Sequence, residues 1–175
     1  SILPAYASTS PIELYSQYAY LYDRHTKKVY IHQESDETMF PASITKIFTV
    51  SMALKKIGNI HEKVKIESVD FDGLFQAGAS MAGFQPDETV TYEDLLYGAM
   101  LPSGADACNA LARLTYGSVQ GMVNAMNEYL KELKIDSTHF TNVTGLHDDN
   151  HYTTAHDMAL ILDDALNNPV FKTVF

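Results

Sequence analysis

The stretch Pro41-Ala42-Ser43-Ile44-Thr45-Lys46 lies where an alternating, strand-like segment gives way to a helix-like one. On a helix, Ser43 and Lys46 share one face about one turn apart. A serine hydroxyl is a weak nucleophile and needs a neighbouring base. A lysine acts as that base only when its surroundings lower its pKa, and the apolar Ile47 and Phe48 favour such burial. The alternative is an ordinary helix in which the spacing has no chemical meaning.

Composition indicates one globular domain, or part of a larger one. The 175 residues are 46% apolar and 19% charged. The net charge of -10 is spread along the chain, which argues against nucleic acid as the main partner. The single cysteine, Cys108, allows neither an intrachain disulfide nor a paired-cysteine metal site. We predict that it is a small buried residue.

The histidines do not predict a metal site, and no cofactor is expected. None of the seven forms an HExxH pattern. His147, His151 and His156 crowd one region, where we expect loop and surface positions. No stretch is long and apolar enough to predict a membrane span.

The first 16 residues are interpreted as a lead-in with little regular structure, since Pro4 and Pro11 disfavour helix and strand. Residues 2–7 end in an Ala-x-Ala pattern typical of the end of a secretory signal. This pattern predicts a protein that works outside the cytoplasm, on the outer face of the cytoplasmic membrane.

Periodicity and turn residues predict a β-hairpin followed by a mostly helical chain. Strands at 19–22 and 28–32 flank a polar turn. The first helix is expected from about Ala42 to Ile57, with Gly58 as its left-handed cap. A short strand is expected at 64–66 and an irregular excursion at 73–85. Later helices are predicted from Thr91, with an approximate capping box to Asp94, to the break at Pro102, and at about 106–114. A helix at 118–133 should place its methionines in the core, and a Thr154–Asp157 capping box should open a helix at 155–166 that ends at Asn167-Asn168-Pro169.

A second candidate position is Ser103, within Pro102-Ser103-Gly104 between two predicted helices. A serine on such a turn can face a cleft, and a hydroxyl both donates and accepts, so it can pass on a proton. The alternative is that Ser103 caps the following helix.

Together, Pro-Ala-Ser-Ile-Thr-Lys at 41–46 and Pro-Ser-Gly-Ala-Asp-Ala at 102–107 resemble the serine-type D-alanyl-D-alanine carboxypeptidases. These low-molecular-mass penicillin-binding proteins share their fold with class A β-lactamases. The hairpin at 18–32, the stretch from 133 to Gly145-Leu146, and residues 152–159 look like corresponding family segments. The resemblance covers most of the chain and implies an α/β (α+β) fold.

The resemblance implies acyl transfer on peptidoglycan stem peptides that end in D-Ala-D-Ala. Ser43 would be the nucleophile, Lys46 the general base and Ser103 the proton relay. Ser103 and Gly104 would also bind substrate, and the Ser43 N–H would be one oxyanion donor. Water would then release the acyl-enzyme, and β-lactams would inhibit by forming a slowly hydrolysed ester.

Two departures from the family pattern stand out. The second family motif is Ser-x-Asn, but position 105 is Ala, so the usual side-chain partner of the lysine is absent or supplied elsewhere. Asn109 lies four residues on, where the motif does not place it in the site. The third motif, Lys-Thr-Gly on a strand, is not found. We interpret Lys172-Thr173-Val174 as a coincidence, because it lacks the glycine and comes too early in family order.

The missing third motif predicts that residues 17–175 are an incomplete carboxypeptidase domain, with a helical subdomain at about 67–150. The hairpin would then need C-terminal sheet strands from further chain. Any membrane association would come from a segment after Phe175, and we expect these residues in isolation to have little activity.

Two other functions remain open. Ala105 and the missing third motif favour a non-catalytic relative that binds peptidoglycan or penicillin, whereas the intact Ser43 and Lys46 disfavour it. A class A β-lactamase would need a deacylating glutamate in a Glu-x-x-Leu-Asn pattern, which the region after Ser103 does not offer.

Overall fold

The computed structural model describes residues 13–175, and within them a hairpin leads into a mainly helical body. The elements in chain order are β1 (Ala19–Tyr22), β2 (Val29–Gln33), α1 (Thr45–Leu54), β3 (Lys63–Lys65), β4 (Thr89–Thr91), α2 (Tyr92–Met100), α3 (Ala105–Tyr116), α4 (Val119–Glu132), α5 (Ala155–Ala165) and α6 (Pro169–Val174). Short 3-10 turns at Ala42–Ile44 and Ser68–Phe71 precede α1 and follow β3. The signal-like residues 2–7 lie outside the described part.

The strands form two small antiparallel pairs. β1 pairs with β2, so that Ala19 lies opposite Gln33 and Leu21 opposite Ile31. This confirms the predicted hairpin. β3 pairs with β4 through Val64 and Val90, and no regular element lies between Phe71 and Thr89, in agreement with the predicted excursion.

Helix α1 is the centre of the core. Nine of its ten residues are buried, and it packs against each of the other five helices. A helix that is buried on all sides brings even its polar residues inside. The predicted burial of Cys108 and of the α4 methionines is also confirmed, because Cys108, Met122 and Met126 are all fully buried.

The predicted C-terminus of α1 was wrong. The helix ends at Leu54, and Gly58 is not among the glycines with positive φ. The N–H groups of Lys55, Lys56 and Ile57 instead bind the carbonyls of Met52 and Ala53 in a tight turn. That turn satisfies the terminal carbonyls, so a left-handed cap is unnecessary.

The caps of the later helices follow the sequence signals in part. Thr91 and Asp94 form both halves of a capping box at α2. Thr154 caps α5 by accepting from the Asp157 N–H, but the Asp157 carboxylate accepts from the Thr138 hydroxyl instead of closing the box.

Helix α6 was not predicted. The Asn168 side chain accepts from the N–H groups of Val170 and Phe171, and Pro169 occupies the first helical position, where a missing N–H costs nothing. Residues 172–174 therefore lie on a helix, in agreement with the interpretation that they are not the strand-borne third motif. No helix within residues 13–175 is long and apolar enough to cross a membrane.

Asp163 on α5 ties the hairpin turn to the helical body. Its carboxylate pairs with the Arg24 guanidinium and, at 3.0 Å, with the Lys27 ammonium. Arg24 also donates to the Asp163 carbonyl at 2.8 Å and to the Asn167 side chain at 2.9 Å. Burial raises the pKa of Asp163, but the polar and cationic groups of the hairpin outweigh it and lower the pKa to about 2.

We predict that Asp163→Asn weakens the attachment of the hairpin by about 1 kcal/mol at neutral pH, because solvent screens these partly exposed pairs. The lowered pKa means that the pairing stabilises the fold above about pH 4 and is lost as the pH falls towards about 2. Thermal unfolding across this range should show a smaller acid dependence in Asp163→Asn. Glu128→Gln, which removes one exposed pair with Lys131, is the control. Equal acid slopes in Asp163→Asn and the unmodified protein would contradict the prediction.

Candidate active site

Ser43 is presented at the surface by a turn with unusual backbone geometry. Residues 42–44 form the 3-10 turn that leads into α1, and Ser43 is exposed. Ala42 has a φ of +47°, a left-handed value that a non-glycine residue rarely adopts. Such a conformation persists only when its surroundings hold it.

The buried amine of Lys46 lies next to the Ser43 hydroxyl. Lys46 is 5% exposed, and its Nζ lies 3.1 Å from Ser43 Oγ and 2.7 Å from the Thr144 carbonyl oxygen. The structure thus brings together the predicted nucleophile and base. Among residues 13–175, no carboxylate forms an ion pair with Lys46.

Burial lowers the pKa of Lys46, because charge is disfavoured away from water. Attraction to Cys108 would oppose this shift, but burial raises the pKa of the Cys108 thiol to about 12, so the thiol is neutral at neutral pH. The position of Lys46 in the first turn of α1, at the positive end of the helix dipole, also disfavours the ammonium. The environment therefore lowers the cost of the neutral amine, the form in which a lysine can act as a general base.

The Thr144 carbonyl is a partner that the sequence analysis did not identify. Asn142 shapes its loop, because the side-chain oxygen accepts from the N–H groups of Thr144 and Gly145, and the side-chain nitrogen donates to the Leu146 carbonyl at 2.8 Å. Thr49 of α1 donates to the Val143 carbonyl at 2.7 Å. Ala105 is buried and apolar, so here a main-chain group meets the need for a lysine partner.

Gly145 allows this loop to lie directly against the 3-10 turn that carries Ser43. It has a φ of +85°, and a Cβ at this position would lie 1.9 Å from the Ala42 carbonyl oxygen and 3.0 Å from the Ser43 nitrogen. Only glycine fits both the left-handed backbone and the close approach.

His151 corrects the prediction that the clustered histidines are all surface residues. It is 2% exposed, whereas His147 and His156 keep partly or largely exposed side chains. The Thr141 N–H donates to Nδ1 at 3.0 Å, so Nε2 carries the proton and donates to Thr45 Oγ1 at 2.8 Å. Burial lowers the pKa of His151 to about 4, with Asp148 opposing this effect. The neutral His151 therefore joins Thr45, the first residue of α1, to Thr141, which directly precedes the 142–146 loop.

Ser103 lies on the turn between α2 and α3, with a φ of +59°. The capping alternative does not hold, because Gly104 is the N-cap of α3. No hydrogen bond within residues 13–175 joins Ser103 to Ser43 or Lys46. The turn leads into α3, which packs against α1, and Cys108 on α3 lies within electrostatic reach of Lys46.

Asn109 does not take the place of the missing asparagine. Its side chain is buried and donates to the Asp70 carbonyl at 3.1 Å, where it joins α3 to the 3-10 turn at 68–71. The part of the chain that the structure describes contains no group of three or more His, Cys, Asp or Glu that could hold a metal ion.

Comparison with known proteins identifies relatives along nearly the whole chain. The D-alanyl-D-alanine carboxypeptidase family (peptidase S11) matches residues 5–173. The chain is 36% identical to D-alanyl-D-alanine carboxypeptidase DacF of Bacillus subtilis over 162 residues. This alignment covers 90% of the chain and 41% of DacF. It is 35% identical to DacC of Escherichia coli over 81% of the chain and 37% of the relative. The chain therefore spans about two fifths of these curated relatives.

Solved structures with similar folds come from the same group. The Streptomyces K15 DD-transpeptidase has a TM-score of 0.88 at 30% identity, with 95% of this chain and 66% of that chain covered. DacD from Francisella tularensis has a TM-score of 0.84 at 29% identity, with 95% and 40% covered. The predicted fold class and family resemblance are thus confirmed.

We predict that Gly145→Ala destabilises the protein by about 2–4 kcal/mol, because it adds a steric clash to backbone strain. Gly117→Ala is a matched control, since Gly117 has a φ of +80° but nothing within 4 Å of an added Cβ. Chemical denaturation should show a clearly smaller loss for Gly117→Ala. Equal losses in the two variants would show that contact with Ala42 is unimportant.

We also predict a pH effect that arises from His151. Its pKa of about 4 lies below the ordinary 6.5, so the unfolded chain takes up the proton first and stability falls as the pH drops from about 6.5 to about 4. His151→Gln should lower the melting temperature at pH 7 but flatten its dependence in this window. His61→Gln, at an exposed histidine, should keep the original slope. An unchanged slope in His151→Gln would refute the assignment.

Proposed function

The chain belongs to the D-alanyl-D-alanine carboxypeptidase family, and from this membership we propose that the protein removes the terminal D-alanine from peptidoglycan stem peptides through a serine acyl-enzyme. The observation that carries the proposal is the buried Lys46 amine beside Ser43 Oγ, with a lowered pKa. A structural lysine commonly has a carboxylate partner that keeps it charged, whereas within residues 13–175 no carboxylate pairs with Lys46 and burial lowers its pKa.

The first half of the proposed reaction forms an ester on Ser43. Ser43 Oγ attacks the carbonyl carbon of the penultimate D-alanine, and its proton passes to the Lys46 amine. The C–N bond then breaks, and Ser103 relays that proton from Lys46 to the departing D-alanine amine, so that Lys46 is neutral again. Ser103 and Gly104 contribute to substrate binding beside the nucleophile.

The second half restores the enzyme. A water molecule gives a proton to the neutral Lys46 amine and adds to the ester carbonyl, and Lys46 passes that proton to Ser43 Oγ as the serine leaves. The Ser43 N–H is one oxyanion donor in both halves, because the first N–H groups of a helix lack intrahelical partners.

The proposed substrate indicates where the protein acts and which compounds should inhibit it. Peptidoglycan lies outside the cytoplasmic membrane, so we place the protein in the extracytoplasmic space. A β-lactam carries a strained amide that Ser43 can open in the same way, and we expect it to acylate Ser43.

One observation favours a second candidate, a non-catalytic relative that binds peptidoglycan or penicillin. Ala105 is 1% exposed and offers no side-chain hydrogen bond, although the family pattern has asparagine there. In our proposal the Thr144 carbonyl supplies part of what that side chain would provide.

Acylation by a fluorescent penicillin separates the two functions, with the protein expressed from its complete reading frame. We predict covalent labelling that Ser43→Ala abolishes and that Lys46→Ala slows by about 100-fold or more. The labelling rate should rise with pH through a pKa below the ordinary lysine value, because only the neutral Lys46 accepts the proton. Lys56→Ala, at an exposed lysine beyond α1, should label normally.

Release of D-alanine from a D-Ala-D-Ala peptide should depend on the same residues. Penicillin binding without a covalent adduct, unchanged in Ser43→Ala, would instead support the non-catalytic candidate.

A further inference from the structure

Asp106 is a buried carboxylate that the catalytic proposal leaves without a role. It lies in the first turn of α3, three residues after Ser103, and is 1% exposed. No basic side chain within residues 13–175 pairs with it. A buried carboxylate without a cation needs other compensation.

Three main-chain N–H groups supply that compensation. Asp106 Oδ1 accepts from Ala82 at 2.7 Å, and Oδ2 accepts from Gly83 at 3.1 Å and from Phe84 at 3.3 Å. All three donors come from residues 80–84, here called the cover segment, which belongs to the irregular excursion before β4. Asp106 is thus the anchor that fixes an otherwise irregular segment to the start of α3.

The cover segment lies directly on the Ser103 turn. The Ala105 N–H donates to the Ser80 carbonyl at 2.8 Å. A Cβ on Gly104 would lie 2.6 Å from the Ala82 Cβ, and a Cβ on Gly98 would lie 2.8 Å from the Phe84 ring. The segment therefore packs against both residues that carry the turn, Gly98 at the end of α2 and Gly104 before α3.

Ser103 depends on such support for its position. Its φ of +59° is unfavourable for a serine and persists only when neighbouring structure holds it. The turn is closed by the Gly104 N–H, which donates to the Gly98 carbonyl at 2.9 Å. The cover segment packs against both of these glycines and so holds the closed turn in place.

We propose that Asp106 is a positioning residue for the reaction: by fixing the cover segment through both carboxylate oxygens, it holds the Ser103 hydroxyl where it relays the proton to the leaving group. This inference rests on the proposed acyl-transfer function. It explains why the carboxylate is buried with three N–H donors, since an ionised carboxylate accepts at both oxygens. An amide would turn an NH₂ group towards one or more of those N–H groups.

The test combines Asp106→Asn with Ser103→Ala in the protein expressed from its complete reading frame. We expect Asp106→Asn to lower the rate of D-alanine release and of penicillin acylation by about 10- to 100-fold, with little change in KM, because a displaced relay group affects the chemical step. In the Ser103→Ala background, Asp106→Asn should have almost no further effect on rate, because the group that it positions is gone.

Asp70→Asn is the matched control. Asp70 is also 1% exposed and ties the 3-10 turn at 68–71 to α3 through Arg113, which lies at the opposite end of α3 from the Ser103 turn. It should lower the melting temperature while leaving the rate within about twofold. If Asp106→Asn fails to fold, Asp106→Glu replaces it, since it keeps the charge and displaces the carboxylate by one methylene.

Three outcomes would overturn the inference: an unchanged rate in the Asp106 variant, an equal loss in Asp70→Asn, or an undiminished loss in the Ser103→Ala background. Failure of the proposed function is a separate result, because the unmodified protein would then neither form the acyl-enzyme nor release D-alanine.

Discussion

The contact on which the site depends is that of the Lys46 amine with two oxygens, the Ser43 hydroxyl and the Thr144 carbonyl. Burial lowers the pKa of Lys46, and its two oxygen partners supply no negative charge that would raise the pKa again. A carboxylate in the place of the carbonyl would hold the lysine protonated. A neutral partner therefore matters for the chemistry as much as the burial does.

Two loops hold the two parts of the proposed site in place. The 142–146 loop places Gly145 against the left-handed Ala42, and His151 holds the start of α1 through Thr45. The cover segment packs over the Ser103 turn and is fixed by Asp106. Both loops lack regular structure, so buried side chains with several hydrogen bonds give them the rigidity that a helix or strand has from its own main chain.

Local signals in the sequence predicted much of the fold. The hairpin, the capping box at Thr91 and the helices around Ser103 follow from periodicity and cap residues, which act within a few positions. The errors have both local and distant causes. Asp157 leaves its capping box for Thr138, 19 positions away. By contrast, α1 ends before Gly58 because its last carbonyls are satisfied locally, in a tight turn. Helix α6 depends on a cap at Asn168 that was interpreted only as a stop.

The pairing of Ser43 with Lys46 follows from the local sequence, because positions three apart in a helical stretch face the same way. The break between helices at Ser103 and Gly104 follows from it as well. The group that completes the surroundings of Lys46 depends on tertiary packing, since Thr144 lies 98 positions away and contributes a carbonyl that every residue possesses. The burial of His151 and the need for glycine at 145 depend on packing in the same way. The way in which distant segments pack decides which main-chain groups bond to a side chain and where two segments come into contact. The identity of the nearby side chains in the sequence does not show either.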